Sequence, residues 1–432
     1  MRRSRAMAAV ATAAVSIATL ATASPAIGST RALSTEVRVN QVGYATGAPK
    51  VAFAMLPAKV ARVRFEVTTA YGVAYRGTST DDLGSWNSGY LAVYQLSFSG
   101  MRTPGRYQVK VLSPASAASP AFTIGDGSQL YRQLVDNAVQ YFTSERDGPG
   151  VDSAVLDRQP ANLTDENAYV YADPAYDSND NLLGSLKRIG GPVDVSGGWF
   201  DAARWAGAYI AQGHPADGDT FNLYDTGAVA EAELLQAMRQ ARISWWSPIT
   251  SSTLLADLAA QLRTGEDQAK GDPFDLGTSL GASDASPHAF GLFITDALYQ
   301  KYGGSRQYEA FAQQQLNFAL GANGWGSSFV VGAGTVFPHC MQSEIANLAG
   351  SLTGHGAIQL GATTDGPSSP ANFTGLGTVA GMRACSAGNF APFNTATAGY
   401  QDNVVSWPSV EPADDYTAAS LLAFALGGAG LG

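Results

Sequence analysis

Gly190-Gly191-Pro192-Val193-Asp194-Val195-Ser196-Gly197-Gly198-Trp199-Phe200-Asp201-Ala202-Ala203-Arg204 lies near the middle of the 432-residue chain, and its reading decides the fold. Two glycine pairs and a proline predict a loop that lets backbone approach something closely. The loop holds one aromatic platform, Trp199, and two acids, Asp194 and Asp201, and a helical pattern from Ala202 to Ile210 follows at once. Glycine, tryptophan and aspartate at a loop-to-helix junction suit a site that stacks a flat ligand face and handles a proton or a water. The plain alternative is a glycine turn in which Asp201 caps the helix. Spacing alone does not choose between them.

Upstream of this stretch the pattern is β. Val37–Tyr44, Val51–Met55, Val63–Val67, Tyr90–Leu96, Gly105–Val111 and Ala121–Ile124 are short strand-like runs separated by turn residues. Six or more such runs without helices predict a small immunoglobulin-like β-sandwich over residues 36–126. At Ser128 the period changes: Leu130, Leu134, Ala138, Tyr141 and Phe142 fall at helical spacing and open a second, helical domain over residues 128–432. The loop Val151–Ser185 carries Asp152, Asp157, Asp165, Asp173, Asp177 and Asp180, which could ligate structural calcium but lack a spaced loop signature, so solvated acids are the simpler reading. Helical patterns then recur at Thr226–Arg242, Ser251–Thr264, Ala289–Lys301, Arg306–Leu320 and Asp415–Leu426. Between the last two, Gly321–Ser409 is rich in Gly, Ser and Asn and has little periodicity.

Charge and cysteine usage narrow the function classes. A net charge of −10, with no basic run, argues against nucleic acid and anionic membranes as partners. Residues 1–30 read as an export signal: Arg2, Arg3 and Arg5, an apolar run from Met7 to Leu20, then Ala21-Thr22-Ala23 as a cleavage site. The apolar run is short and alanine-rich for a membrane span. Removing the three arginines takes the charge to about −13, and the expectation is a secreted, extracellular monomer. Cys340 and Cys385 are the two cysteines; in an oxidising compartment they predict a disulfide closing a long loop, with two free buried thiols as the alternative.

The chemistry is found by elimination. His214, His288, His339 and His355 are too scattered for a zinc cluster, and neither a serine elbow, a phosphate loop nor a dinucleotide fingerprint is present. Neither a metal nor another cofactor is therefore expected in catalysis. Carboxylates remain. Glu411, in Trp407-Pro408-Ser409-Val410-Glu411-Pro412-Ala413-Asp414-Asp415-Tyr416, is the best partner for Asp201, with helix capping as its alternative role. Two acids on helix-entry loops, with Trp199, Trp407 and Tyr416 nearby in sequence, fit hydrolysis of a glycosidic bond.

These residues resemble family-9 glycoside hydrolases, the cellulase group with an N-terminal immunoglobulin-like domain, over nearly all of the chain that follows the signal. Val39-Asn40-Gln41-Val42-Gly43-Tyr44 resembles that domain's opening strand, and Asp194–Ala202 the start of the acidic motif Gly-Gly-Trp-x-Asp-Ala-Gly-Asp. Gln315–Gly321 with Phe337-Pro338-His339 resembles the late helix and histidine region, and Val410–Tyr416 the segment with the general acid. The resemblance implies an (α/α)6 barrel that cleaves β-1,4-glucosidic links of a β-glucan with inversion. Glu411 would be the acid and Asp201 would hold the attacking water, their carboxyls roughly 6.5–9.5 Å apart. Trp199 and Tyr416 would neighbour the cleft, and His339 would contact sugar hydroxyls.

One departure stands out. The family's second aspartate, its base, should fall three residues after Asp201, and Arg204 stands there. A guanidinium cannot accept a proton at a workable pH. The helical patterns are also too few for the twelve helices of six pairs. The expectation is an incomplete barrel, with a block of helices missing between Ala202 and Trp205, by deletion or by an error in the reading of the gene.

Overall fold

The computed structural model describes residues 34–145, 167–172, 175, 177, 182–193, 227–240, 242, 244–246, 249–279, 284–348, 359–377 and 382–431. The export signal, the acids Asp152, Asp157, Asp165, Asp173 and Asp180, and the stretch from Asp194 to Arg204 with Trp199 and Asp201 lie outside the described residues.

The N-terminal part is a two-sheet sandwich. One sheet orders β1 (Glu36–Arg38), β3 (Val51–Leu56) and β6 (Ala92–Ser97) antiparallel, in the order β1-β3-β6. The other orders β2 (Gly43–Ala45), β9 (Phe122–Gly125), β7 (Gly105–Ser113), β4 (Val63–Thr69) and β5 (Gly72–Ser79), with β8 (Ala117–Ala118) paired to β7. The run Val37–Tyr44 is thus two strands in different sheets: β1 pairs with β3, and β2 pairs parallel to β9. Gly43, at φ 137°, makes the crossing possible, because a Cβ there would fall 1.9 Å from the Thr123 carbonyl oxygen. Strand β5 escapes the sequence pattern, since most of its residues are exposed and alternate weakly.

Strand β3 explains how the sandwich meets the helices. Ala52, Ala54 and Leu56 face the sandwich core, while Phe53 and Met55 join the core of the helical body. In β6, Ala92, Tyr94 and Leu96 turn inward while Val93 turns to the helices. With period-2 side chains and both faces buried, alternation vanishes from the sequence. The seam is also polar. Gln41 donates from Nε2 to the Gly326 carbonyl (3.0 Å) and accepts from the Thr335 and Val336 amides (2.9 and 3.0 Å). Residues 34–432 form one compact unit, so the sandwich and the helical part share a core.

The helical part holds α1 (Gly127–Glu145), α2 (Gly227–Gln240), α3 (Ser251–Ala269), α4 (Ala285–Lys301), α5 (Glu309–Ala319), a four-residue α6 (Trp407–Val410) and α7 (Asp414–Gly428). Helix α4 is its axis: every residue from Ala285 to Leu298 is buried, and α2, α3, α5 and α7 pack around it. Helix α7 packs against both α1 and α4. Among the described residues, six helices exceed ten residues.

Part of the predicted loop is strand. Gly190, Gly191 and Pro192 belong to β11 (Arg188–Val193), paired antiparallel with β10 (Ala168–Tyr171), itself inside the stretch read as the loop Val151–Ser185. The pairing is bulged at Val170 and Gly190, and Gly191 at φ 95° supplies the backbone that a bulged strand needs. Glycine in sequence signals a bulge as readily as a turn.

Candidate active site

The site is built around the link between α6 and α7. Pro408 occupies the first turn of α6, where its missing N–H costs no helical bond. Pro412 then disfavours helix at the residue before it, and Glu411 is extended at φ −75°, ψ 122°. Pro408, Ser409 and Val410 are buried while Glu411 is exposed, so the segment presents one carboxyl to solvent from a fixed base. The protein around that carboxyl removes part of its hydration and moves its pKa up, the direction a general acid requires.

A second segment lies under Glu411. Thr364 bridges Pro412, the Asp365 amide donates to the Glu411 carbonyl (3.3 Å), and the Gly366 amide donates to the Ser409 carbonyl (3.3 Å). The Ser286 amide, in the first turn of α4, donates to the Asp365 carbonyl (2.8 Å). The Asp365 side chain is buried and accepts from the Tyr416 hydroxyl at 3.1 Å. Burial, then the neighbouring Glu411 charge, holds the Asp365 carboxyl well above the usual range; the Tyr416 bond opposes this and Asp284 adds to it. Tyr416, expected beside the cleft, is buried with its hydroxyl committed to Asp365.

His339 sits on a loop tied to the same segment. Its exposed ring stacks on Phe337 at 4.6 Å, and the Gln342 amide donates to the Val410 carbonyl (3.1 Å) one residue before Glu411. Asp402, buried, grips the loop: Oδ2 accepts from the His339 amide (2.8 Å) and Oδ1 from the Cys340 amide (2.7 Å). Cys340 and Cys385 form a disulfide. It joins this loop to β12 (Ser386–Ala387), which pairs with β13 (Asp402–Asn403). The disulfide, the short sheet and Asp402 thus place His339 relative to Glu411.

A cleft of about 790 Å³ begins one residue beyond Glu411, lined by Tyr141, Glu145, Gln342–Ile345 and Pro412–Asp415. Its acids Asp414 and Asp415 are raised by burial. Two smaller clefts, about 420 and 440 Å³, lie at the sandwich–helix seam away from Glu411. Among the described residues no group of three or more His, Cys, Asp or Glu is arranged to hold a metal ion. Among them, too, no helix is long and apolar enough to cross a membrane.

Of the residues expected from sequence, Glu411, His339, Tyr416 and the cysteine pair fall on connected segments. Asp201 and Trp199 lie outside the described residues. Asp365, Asp402 and Asp284 were not anticipated: each is a single acid in a stretch without periodicity or motif.

Known proteins share parts of this arrangement. Residues 234–424 match the family model for glycosyl hydrolase family 9, and residues 32–116 match that for the cellulase N-terminal ig-like domain. The acidic stretch 190–204 falls between the two. Endoglucanase C of Cellulomonas fimi is 31% identical over 195 residues, which are 44% of this chain; the chain spans 17% of that protein's length. The fold is similar to that of a Bacteroides ovatus GH9 structure (TM-score 0.58, 14% identity, 91% of this chain and 99% of that one). It is also similar to a metagenome-derived glycoside hydrolase family 9 endoglucanase (0.55, 16%, 91% and 99%). A single mutant of a thermostable endoglucanase from Alicyclobacillus acidocaldarius is comparably similar (0.56, 13%, 90% and 99%). An immunoglobulin-like domain and a helical part thus match in order, and the chain is similar to glycosyl hydrolase family 9 cellulases with an N-terminal immunoglobulin-like domain.

Proposed function

We propose that this protein is a secreted, monomeric glycoside hydrolase that cleaves β-1,4-glucosidic bonds of a β-glucan with inversion, at a reduced rate. One observation carries the reading. Glu411 is a lone exposed carboxyl on a buried, proline-framed segment, its proton affinity raised by its surroundings, on a chain similar to glycosyl hydrolase family 9. In this reading Glu411 protonates the leaving oxygen, Asp201 orients and deprotonates the attacking water, and His339 and Trp199 bind sugar. Tyr416 supports the acid from below. Arg204, at the position of the family's base, leaves Asp201 to do that work alone, and loss of a general base costs on the order of 10²–10⁴-fold. The incomplete barrel belongs to the same proposal, as does any structural calcium held by the loop acids.

Arg204 also favours a second reading, a carbohydrate-binding protein of this family without turnover. Reducing-sugar release from carboxymethyl cellulose separates the two, with Glu411→Gln as the control. Release by the natural chain that disappears in the variant supports hydrolysis. Release no greater than the variant's, with retention on insoluble glucan, supports binding alone.

A further inference from the structure

The cleft of about 440 Å³ at the sandwich–helix seam is built from groups that the reaction above does not use. Glu266, near the end of α3, lines it together with Asp272 and Asp275 from the link that follows that helix. Gln314 of α5 lines it as well and is 7% exposed. Its Nε2 is tied to the Phe274 carbonyl (3.0 Å), and its Oε1 has no hydrogen-bond partner among the described residues. A buried amide oxygen left unpaired beside a cleft marks a place for a donor from outside. Half-buried Val51 and Leu83, both from the sandwich, add apolar surface.

Ionised carboxylates and an amide oxygen with its nitrogen engaged can only accept, so the cleft selects a ligand that donates. Lys270 is the one basic residue lining it among the described residues, and its exposed ammonium is bonded to Asp267. The three acids thus face the cleft without a cation of their own. Burial leads in raising all three carboxyls, and the charge of Asp275 adds at Asp272 and that of Glu266 at Asp275. Among the described residues no three acids converge on one point as metal ligands do. A ligand that meets them carries its positive charges apart. We propose that this cleft binds a small organic dication, two ammonium groups joined by an aliphatic chain. The ammonium groups donate to the carboxylates and to Gln314 Oε1, and the methylenes lie along Val51 and Leu83. Because its lining comes from both the sandwich and the helical part, an occupied cleft ties the two together and stabilises the folded chain. The proposal is independent of the hydrolase reading.

The test is titration calorimetry of the full chain at neutral pH with putrescine, and with butanediol as its uncharged counterpart. Putrescine should bind with a dissociation constant of about 1 mM or tighter and raise the melting temperature, while butanediol should do neither. Asp275→Asn and Gln314→Leu place the ligand. Asp275 is exposed and has φ 60°, a backbone that asparagine also adopts, so Asp275→Asn keeps the fold. Each variant should weaken putrescine binding about tenfold, as loss of a charge-assisted hydrogen bond does. Should Gln314→Leu melt early, Asp275→Asn alone decides the location. No heat and no melting shift with putrescine overturn the proposal. Equal binding of butanediol overturns the ionic basis, and full affinity in Asp275→Asn puts the ligand elsewhere. None of these readouts needs turnover.

Discussion

Asp402 shows how one buried side chain can govern a site it does not enter. Its two oxygens accept from the consecutive amides of His339 and Cys340, and both amides would be orphaned without it. Leaving buried donors unsatisfied costs about 1–3 kcal/mol each. Asp402→Ala should therefore lower stability by roughly 2–4 kcal/mol and loosen the His339 loop. Thermal melting and limited proteolysis across residues 337–343 read both effects, and an unchanged melt would remove Asp402 from this role. Glu411, His339 and the cysteines were legible in sequence because each stands in a motif or a countable pair. Asp402 was not, since its partners lie 62 and 63 residues away. Asp365 has the same difficulty, bonded to Ser286 on one side and Tyr416 on the other. Contacts of that separation leave no local periodicity.

Among the elements, β3 carries the join between sandwich and helices. Phe53 packs edge-on against Phe274 at 5.1 Å, and Phe274 meets Trp86 at the same distance, so one aromatic chain crosses the seam. Phe53→Ala should cost about 3–5 kcal/mol, as for other buried aromatics, while Tyr71→Ala at the fully exposed β4–β5 turn should stay within about 0.5 kcal/mol. Chemical denaturation of the two variants checks the contrast; equal effects would mean that the seam contributes little. Gly361 makes a comparable point for α1, because a Cβ there would fall 2.2 Å from the Asn137 backbone at φ 85°. The helices were legible from their apolar spacing, and the structure extends α3 to Ala269 and starts α4 at Ala285. The strand residues Gly190–Pro192 were not, because turn composition and bulge composition are the same residues.

At the scale of the molecule, the buried acids give stability a direction with pH. Asp296 on α4 is fully buried, with Oδ2 accepting from Gln300 at 2.6 Å and Oδ1 without a partner among the described residues. Burial pushes its carboxyl up to about 6 from 3.8. Because the folded pKa exceeds the unfolded one, the folded chain binds more protons than the unfolded chain in this window. The contribution is fully present below about 3.8 and lost as pH rises through about 6. Asp365, raised chiefly by burial as well, acts in the same direction. Self-repulsion also grows as the net charge approaches −10 at pH 7. The chain should therefore melt at a higher temperature near pH 4.5 than near pH 7. Asp296→Asn, which cannot ionise, should remove about 2 kcal/mol of that difference. Melting curves of both proteins across this range read the outcome. Parallel pH dependences would show that Asp296 titrates normally and that the helical core tolerates its charge.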